Sequence, residues 1–170
     1  DFILEVDQIV QFIVEAFLEE GLLKYGAKGG TVVVMDPKTG GILAMASRPS
    51  YDPFKWGDFD ETSYKNPAVA DSYEPGSTFK ALVMAAALNE DVVNPNTHCD
   101  ICEGPLSISE FTIRTWNNTY HKDSTMVEVI EHSDNIGMVF VAKKLALDKL
   151  YSYLERFGIG EPTNIDLEDE

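Results

Sequence analysis

Glu74-Pro75-Gly76-Ser77-Thr78-Phe79-Lys80 is the stretch around which this chain is organised. Its proline and glycine break the preceding structure, and the apolar run at 81–88 predicts a helix that begins at Ser77 and lies inside the fold. Residues three positions apart face the same side of a helix, so we expect Ser77 and Lys80 to lie together. Free N–H groups at a helix start stabilise an oxyanion, and a desolvated lysine can act as a base.

The serine has a second interpretation, because serine is also a common helix cap. Ser-x-x-Lys by itself is a pattern of low specificity. A capping role for Ser77 therefore stays open on this stretch alone, and the rest of the chain has to separate the two interpretations.

The composition is that of a soluble globular protein of about one domain, with 170 residues of which 44% are hydrophobic and 25% charged. Acidic residues outnumber basic ones 29 to 13, and the net charge of -16 argues against nucleic-acid or anionic-membrane partners. No apolar run reaches the roughly 18 residues of a membrane helix. Because residue 1 is not methionine and the chain stops in an acidic run, we expect an excised segment of a longer protein.

Two cysteines, Cys99 and Cys102, have histidines nearby at His98 and His121. We favour two free or half-buried thiols, then a local disulfide, and then a zinc site, whose ligand spacing here is incomplete.

Periodicity predicts an amphipathic helix at 6–20 that ends at Gly21. Two strands follow at 31–35 and 42–47, joined by a turn at 37–41. Both strands are apolar enough for an antiparallel hairpin covered on both faces.

Residues 48–76 are predicted to be irregular. The aromatic side chains of this segment are expected either to line a cleft or, as is commoner for aromatic residues in loops, to pack the loop against the rest of the domain. These residues are Tyr51, Phe54, Trp56 and Phe59. Residues 89–123 are predicted to be mostly loop, with a short strand at 111–116.

Thr125-x-x-Glu128 has the form of a capping box at the start of another helix. Ser133-Asp134-Asn135 follows, and these side chains compete for backbone hydrogen bonds in a helix interior. The pattern predicts a corner between two helices, the second at 136–147, with a further short helix at 150–156.

Ser-x-x-Lys together with Ser-Asp-Asn is the motif set of penicillin-binding proteins and serine β-lactamases. The chain resembles the transpeptidase domain of penicillin-binding proteins, most closely the high-molecular-weight class B kind. The resemblance covers almost the whole chain and includes 34–45, 50–54, 73–80 and 157–160. It implies an α/β fold of the α+β type, the penicillin-binding and serine β-lactamase-like transpeptidase fold, with an antiparallel sheet and helices on both faces. Residues 1–170 would form a partial domain whose C-terminal strands are missing.

The resemblance also implies roles. Ser77 is the nucleophile that attacks the D-Ala-D-Ala amide, Lys80 is its general base, and Ser133 relays a proton toward the leaving amine. Asn135 hydrogen-bonds the substrate's amide side chain and helps to hold Lys80, whereas Asp134 has only a structural role. No metal and no cofactor are required.

The family's third motif, Lys-Thr-Gly, belongs downstream of Asn135 on a strand beside the cleft. Lys38-Thr39-Gly40 has the residue types of this motif but precedes Ser77 and is predicted to lie in a hairpin turn. We therefore interpret it as a chance match, and the chain ends before the true motif.

The resemblance implies a peptidoglycan D,D-transpeptidase that is acylated by β-lactams. Alternatives are a serine β-lactamase, although no Glu-x-x-Leu-Asn base segment is present, a β-lactam-sensing receptor domain, or a segment inactive as it stands. The implied partners are stem peptides, β-lactams and cell-wall synthesis proteins. The implied location is the outer face of the bacterial cytoplasmic membrane, with no membrane contact from this segment itself.

Overall fold

The structure is a computed structural model that describes residues 4–165 and 167. The chain divides into two compact units. The first comprises the described residues up to Tyr73 with those at the C-terminal end, and the second is Glu74–Thr163. Both sequence motifs, Ser-x-x-Lys and Ser-Asp-Asn, lie in the second unit.

The first unit begins with helix α1, Gln8–Tyr25. Asp7 caps it by accepting hydrogen bonds from the N–H groups of Ile9 and Val10. The prediction that Gly21 ends this helix is wrong, because a glycine inside a helix costs only about 1 kcal/mol relative to alanine. The helix ends at Gly26, whose left-handed backbone (φ 60°) lets its N–H bond to the carbonyl of Leu22.

Strands β1, Gly30–Met35, and β2, Ile42–Arg48, form the predicted antiparallel hairpin. Helix α1 packs on this hairpin, where Gln11 donates to the carbonyl of Met45 and accepts from its N–H. Exposure alternates along β1, so the expectation that both faces are covered is wrong for this strand, whereas every residue of β2 is buried or half-buried. Both faces of β1 are apolar, and composition alone does not tell a covered face from an open one.

The segment predicted to be irregular contains two 3₁₀ turns, Pro53–Asp58 and Glu61–Tyr64, and a one-turn helix α2, Pro67–Ala70. Tyr51 contacts Phe59 and Tyr64 edge-on, at ring-centroid distances of 6.3 and 5.0 Å. The other two aromatic residues, Phe54 and Trp56, are exposed. The prediction that the aromatic side chains pack this loop against the rest of the domain is therefore wrong for Phe54 and Trp56.

The second unit contains most of the buried core. Its elements are a 3₁₀ turn at Gly76–Phe79, helix α3 at Lys80–Asn89, strands β3 at Leu106–Ile108 and β4 at Phe111–Ile113, and helices α4 at Met126–Glu131, α5 at Asn135–Leu145 and α6 at Leu147–Arg156. The α-helical geometry thus begins at Lys80, three residues later than predicted.

The core of this unit forms where α3 packs against α5. Val83, Met84, Ala86 and Ala87 are buried on α3, whereas Ala81 and Ala85 are exposed. The α5 side contributes Ile136, Phe140, Val141 and Leu145. Helix α3 is therefore buried on one side within the described part of the chain, rather than on every face as its composition predicted.

The α+β class is confirmed, and its strands pair into two separate antiparallel hairpins in the described residues, β1–β2 and β3–β4. Strand β3 was not predicted because Leu106–Ile108 is too short to show a period. The predicted strand at 111–116 is present as β4 but ends at Ile113.

Cys99 and Cys102 form a disulfide, and both residues are fully buried. The preference for free thiols is therefore wrong. Their Cα atoms are 5.6 Å apart, within disulfide range, because the chain turns tightly between them. Sulfur atoms bonded to each other are not thiolate ligands, so the zinc alternative loses two of its donors, and the described residues contain no group of three metal-ligating side chains.

Candidate active site

Ser77 lies in the 3₁₀ turn that leads into α3. Gly76 starts this turn with a left-handed backbone (φ 58°), a conformation that glycine adopts at little cost. The N–H of Lys80 donates to the carbonyl of Ser77, which closes the turn and places the two residues one turn apart. The N–H of Ser77 is in the first turn, where backbone donors have no partner within the helix.

Ser133 lies in the tight corner between α4 and α5. It has a left-handed backbone (φ 53°) and its N–H donates to the carbonyl of Ile130. Asp134 then caps α5, because its Oδ1 accepts from the N–H groups of Ile136 at 2.7 Å and Gly137 at 3.2 Å. The predicted corner is confirmed, although α5 begins at Asn135, one residue earlier than predicted.

Close packing of the two helices requires a glycine at 137. A Cβ atom there would lie 2.5 Å from Cγ2 of Val129 on α4. The absence of a side chain at Gly137 therefore lets α5 approach α4 and sets the position of the corner.

The corner brings Ser133 and Asn135 to the amine of Lys80. The Nζ of Lys80 donates to the carbonyl oxygen of Ser133 at 2.7 Å, to its Oγ at 2.9 Å and to Oδ1 of Asn135 at 2.6 Å. The Oγ of Ser133 in turn donates to Oγ of Ser77 at 2.9 Å. All four predicted residues thus belong to one hydrogen-bonded cluster, in which the connection from Ser77 to Lys80 runs through the Ser133 hydroxyl.

Burial lowers the pKa of Lys80, because removal of water disfavours the ammonium form. The carboxylate of Asp134 opposes this shift and raises the same pKa. The net effect is a pKa below the ordinary lysine value, which brings Lys80 closer to the neutral form that can accept a proton.

The contacts of Lys80 suit both of its protonation states. Two of its partners are carbonyl oxygens, of Ser133 and of the Asn135 side chain, which accept from either form. The third partner is a hydroxyl, which can accept from an ammonium or donate to the lone pair of an amine. When the amine is neutral, the Ser133 hydroxyl can turn toward Lys80 and accept from Ser77, which gives a proton path away from Ser77.

Asn135 is held at both ends of its amide. Its Oδ1 accepts from Lys80, and its Nδ2 donates to the carbonyl oxygen of Arg114 at 2.7 Å. A side-chain amide offers two N–H donors and two lone pairs, so one of each remains for a ligand. Sequence reasoning missed Arg114, because its contribution is a backbone carbonyl that no side-chain pattern reveals.

The penicillin binding protein transpeptidase domain is the family that matches, over residues 30–170. The chain belongs to this family. It is 39% identical along its whole length to Stage V sporulation protein D of Bacillus subtilis (strain 168), of which it covers 26%. It is 40% identical over 89% of its length to a peptidoglycan D,D-transpeptidase FtsI homolog of Mesostigma viride, again covering 26% of that protein.

A solved structure agrees with this assignment. The crystal structure of a peptidoglycan glycosyltransferase from Burkholderia ambifaria matches 98% of this chain and 48% of that one, with a TM-score of 0.83 and 26% identity. The relatives are of the class B kind that the sequence motifs indicated, and the chain spans about a quarter of the length of these curated relatives.

Lys38-Thr39-Gly40 of this transpeptidase-family chain lies in the β1–β2 turn, as predicted. The N–H of Lys38 and the hydroxyl of Thr39 both donate to the carboxylate of Asp36, and Gly40 has a left-handed backbone (φ 79°). These contacts account for the three residues as turn chemistry.

Two hollows border the cluster within the second unit. One, of about 210 Å³, is lined by Ser133 and Asp134 with the stacked rings of His121 and His132, whose centroids are 4.1 Å apart. The other, of about 230 Å³, is mostly apolar and is lined by Lys80 and Asn135 with residues of α3, α5 and α6. The cluster is therefore accessible from the surface of this unit, and the Ser77 side chain is exposed.

Proposed function

We propose that this chain carries the acyl-serine machinery of a peptidoglycan D,D-transpeptidase. The observation that supports this most directly is the hydrogen-bonded path from Ser77 Oγ through Ser133 Oγ to Lys80 Nζ. The family assignment and the name of the relative from Mesostigma viride, a peptidoglycan D,D-transpeptidase FtsI homolog, point the same way.

In the proposed reaction, the Ser77 oxygen forms a bond to the carbonyl carbon of the D-Ala-D-Ala amide. Its proton passes to the Ser133 hydroxyl, whose own proton passes to neutral Lys80. The amide C–N bond then breaks, and a proton returns through Ser133 to the departing D-Ala amine. An acceptor amine attacks the carbonyl carbon of the resulting ester, and its proton passes through Ser133 to Lys80. The ester C–O bond then breaks, and that proton returns through Ser133 to the Ser77 oxygen.

Substrate binding in this proposal falls to groups whose hydrogen-bonding capacity is not used up. Asn135 offers one donor and one acceptor to the substrate amide, and the N–H of Ser77 supplies one of the two oxyanion donors. Lys38-Thr39-Gly40 has no part in this, because the Lys38 N–H and the Thr39 hydroxyl serve the β1–β2 turn.

The biological setting follows from the family. Stem peptides would be the substrates, β-lactams the inhibitors, and other cell-wall synthesis proteins the partners. Action on peptidoglycan implies the cell envelope, on the outer face of the cytoplasmic membrane. In the described residues, no helix combines the length and apolarity that a bilayer crossing demands.

The test is covalent labelling by a fluorescent penicillin, followed by peptide mapping in a mass spectrometer. We expect one label on Ser77, none in S77A, and unchanged labelling in S107A, a variant of an exposed serine on β3. Labelling that persists in S77A, or no labelling of the complete protein, would refute the proposal.

A time course and a donor peptide separate the related activities. A label lost within minutes indicates a β-lactamase. A stable label without D-Ala release from a D-Ala-D-Ala peptide indicates a sensing domain, and a stable label with that release supports the transpeptidase.

A further inference from the structure

Asp134 is the most deeply buried charged residue in the corner between α4 and α5, with 2% of its surface exposed. One carboxylate oxygen, Oδ1, caps α5 through the N–H groups of Ile136 and Gly137. The other, Oδ2, is buried and has no hydrogen-bond partner among the described residues.

Helix capping does not explain why this residue is charged. Asparagine and serine cap helices about as well as aspartate. A buried carboxylate oxygen without a partner lowers stability more than a neutral group would. An asparagine at 134 would keep the Oδ1 cap and avoid the buried charge, so the charge itself needs another explanation.

The position of Asp134 supplies an explanation for its buried charge. Its neighbours in the chain, Ser133 and Asn135, provide all three acceptors of the Lys80 amine. Asp134 is also the charged group whose field acts on that amine and opposes the effect of burial.

We propose that Asp134 is a positioning residue for acyl transfer, whose buried carboxylate sets the Ser133–Asn135 corner and favours the ammonium form of the Lys80 amine held there. This inference rests on the proposed function of the same site. In the resting protein, the three N–H bonds of the ammonium are satisfied and Ser77 is not deprotonated.

Other titratable groups face this corner without sharing the burial of Asp134. Glu131 and His132 at the end of α4 are exposed, and His121 from the preceding loop is half-buried. On α3, Glu90 lies at the opposite end from Lys80, paired with Lys149 of α6.

The decisive variant is D134N, which keeps the capping oxygen and removes the charge. Its matched control is E131Q, which removes an exposed carboxylate that lines the same hollow. The direct measurement is the titration of Lys80, followed by NMR in protein labelled with ¹³Cε-lysine and assigned with K80R.

We expect the Lys80 titration midpoint of D134N to move to lower pH than in the unsubstituted protein, and that of E131Q to stay in place. A D134N midpoint that is unchanged or raised overturns the proposal. Loss of thermal stability in D134N with an unchanged Lys80 midpoint would mean that the charge serves only the helix dipole, and it also overturns the proposal.

The pH dependence of the penicillin acylation rate provides the second readout. If Lys80 must be neutral to act, the acid limb of this profile moves to lower pH in D134N. At pH values below the Lys80 midpoint of the unsubstituted protein, D134N therefore reacts faster than the unsubstituted protein. A limb that stays in place in a D134N protein that still reacts contradicts the proposal. If no variant is acylated, the proposed function fails, and the NMR titration still decides what Asp134 does to Lys80.

Discussion

Lys80 and Ser133 are joined twice, because the amine donates to both the backbone carbonyl and the hydroxyl of the same residue, at 2.7 and 2.9 Å. The carbonyl contact does not involve the side chain at 133. It places Lys80 whether or not a hydroxyl is present, so the part played by the hydroxyl can be measured by itself.

The substitution S133A removes the link between Ser77 and Lys80 while leaving the amine in place. We expect acylation by fluorescent penicillin to slow by about 10²- to 10⁴-fold, the usual contribution of a positioned proton-transfer group. Thermal stability should stay close to that of the unsubstituted protein. A rate within threefold of the original, in a folded S133A protein, would show that the proton does not travel through this hydroxyl.

The second prediction concerns the contribution of the Cys99–Cys102 disulfide to the free energy of unfolding. Cys99 N–H donates to the carbonyl of Ser124 at 2.8 Å, immediately before helix α4, so the bridged turn supports the start of that helix. Reduction should lower the free energy of unfolding by about 2 kcal/mol, as chain entropy predicts for a short closed loop. Urea unfolding with and without a phosphine reductant measures it.

The double variant C99A/C102A is the control for reduction. It should unfold at the same urea concentration with or without reductant. If reduction leaves the unfolding midpoint of the unsubstituted protein unchanged, the disulfide contributes nothing to the free energy of unfolding.

Sequence reasoning succeeded where local chemistry determines the structure. The capping box at Thr125 and Glu128 is present with both reciprocal hydrogen bonds, since these partners are only three residues apart. The corner at Ser133 was predictable because its side chain and those that follow are poor helix formers. The β1–β2 hairpin was predictable from two apolar runs and a turn-forming segment.

Its errors arose where a choice between two local signals, or packing by other parts of the chain, decides the outcome. The length of α1 depends on how Gly26 ends the helix rather than on the cost of Gly21. The burial of Cys99 and Cys102 depends on the packing around them, which their residue types and spacing do not reveal. The contact from Asn135 to the Arg114 carbonyl joins residues 21 positions apart through a backbone group, so no residue type marks it.

Acid sensitivity of the fold is the third prediction. The backbone N–H of Thr125, and then its hydroxyl, lower the pKa of Glu128 below the ordinary glutamate value. A carboxyl group with a lowered folded-state pKa stabilises the protein above its unfolded-state pKa, and that contribution disappears as the pH falls through the folded-state pKa. The protein should therefore lose stability on acidification partly through Glu128.

The variant E128Q isolates this effect, because glutamine also completes a capping box. Urea unfolding from neutral to acidic pH should show a smaller decline in stability for E128Q than for the unsubstituted protein. T125A should retain part of the decline, since its backbone N–H still donates. Identical declines in all three proteins would exclude Glu128 as a source of acid sensitivity.

The fourth prediction concerns the glycine that positions the corner. In G137A the added Cβ would lie 2.5 and 2.6 Å from the two Cγ atoms of Val129, so α5 must move away from α4. We expect the free energy of unfolding to fall by about 1–3 kcal/mol, the usual cost of overpacking a core. Penicillin acylation should slow as well, because Ser133 and Asn135 move with the corner.

Two further variants test this cause. G104A adds the same methyl group where nothing lies within 4 Å, and it should change stability by no more than about 0.5 kcal/mol. Adding V129A to G137A removes the clashing methyl groups, so the double variant should be more stable than the sum of the single effects predicts. Additive effects would mean that the Gly137–Val129 contact does not set the corner, and slow acylation in G137A would then need a different origin.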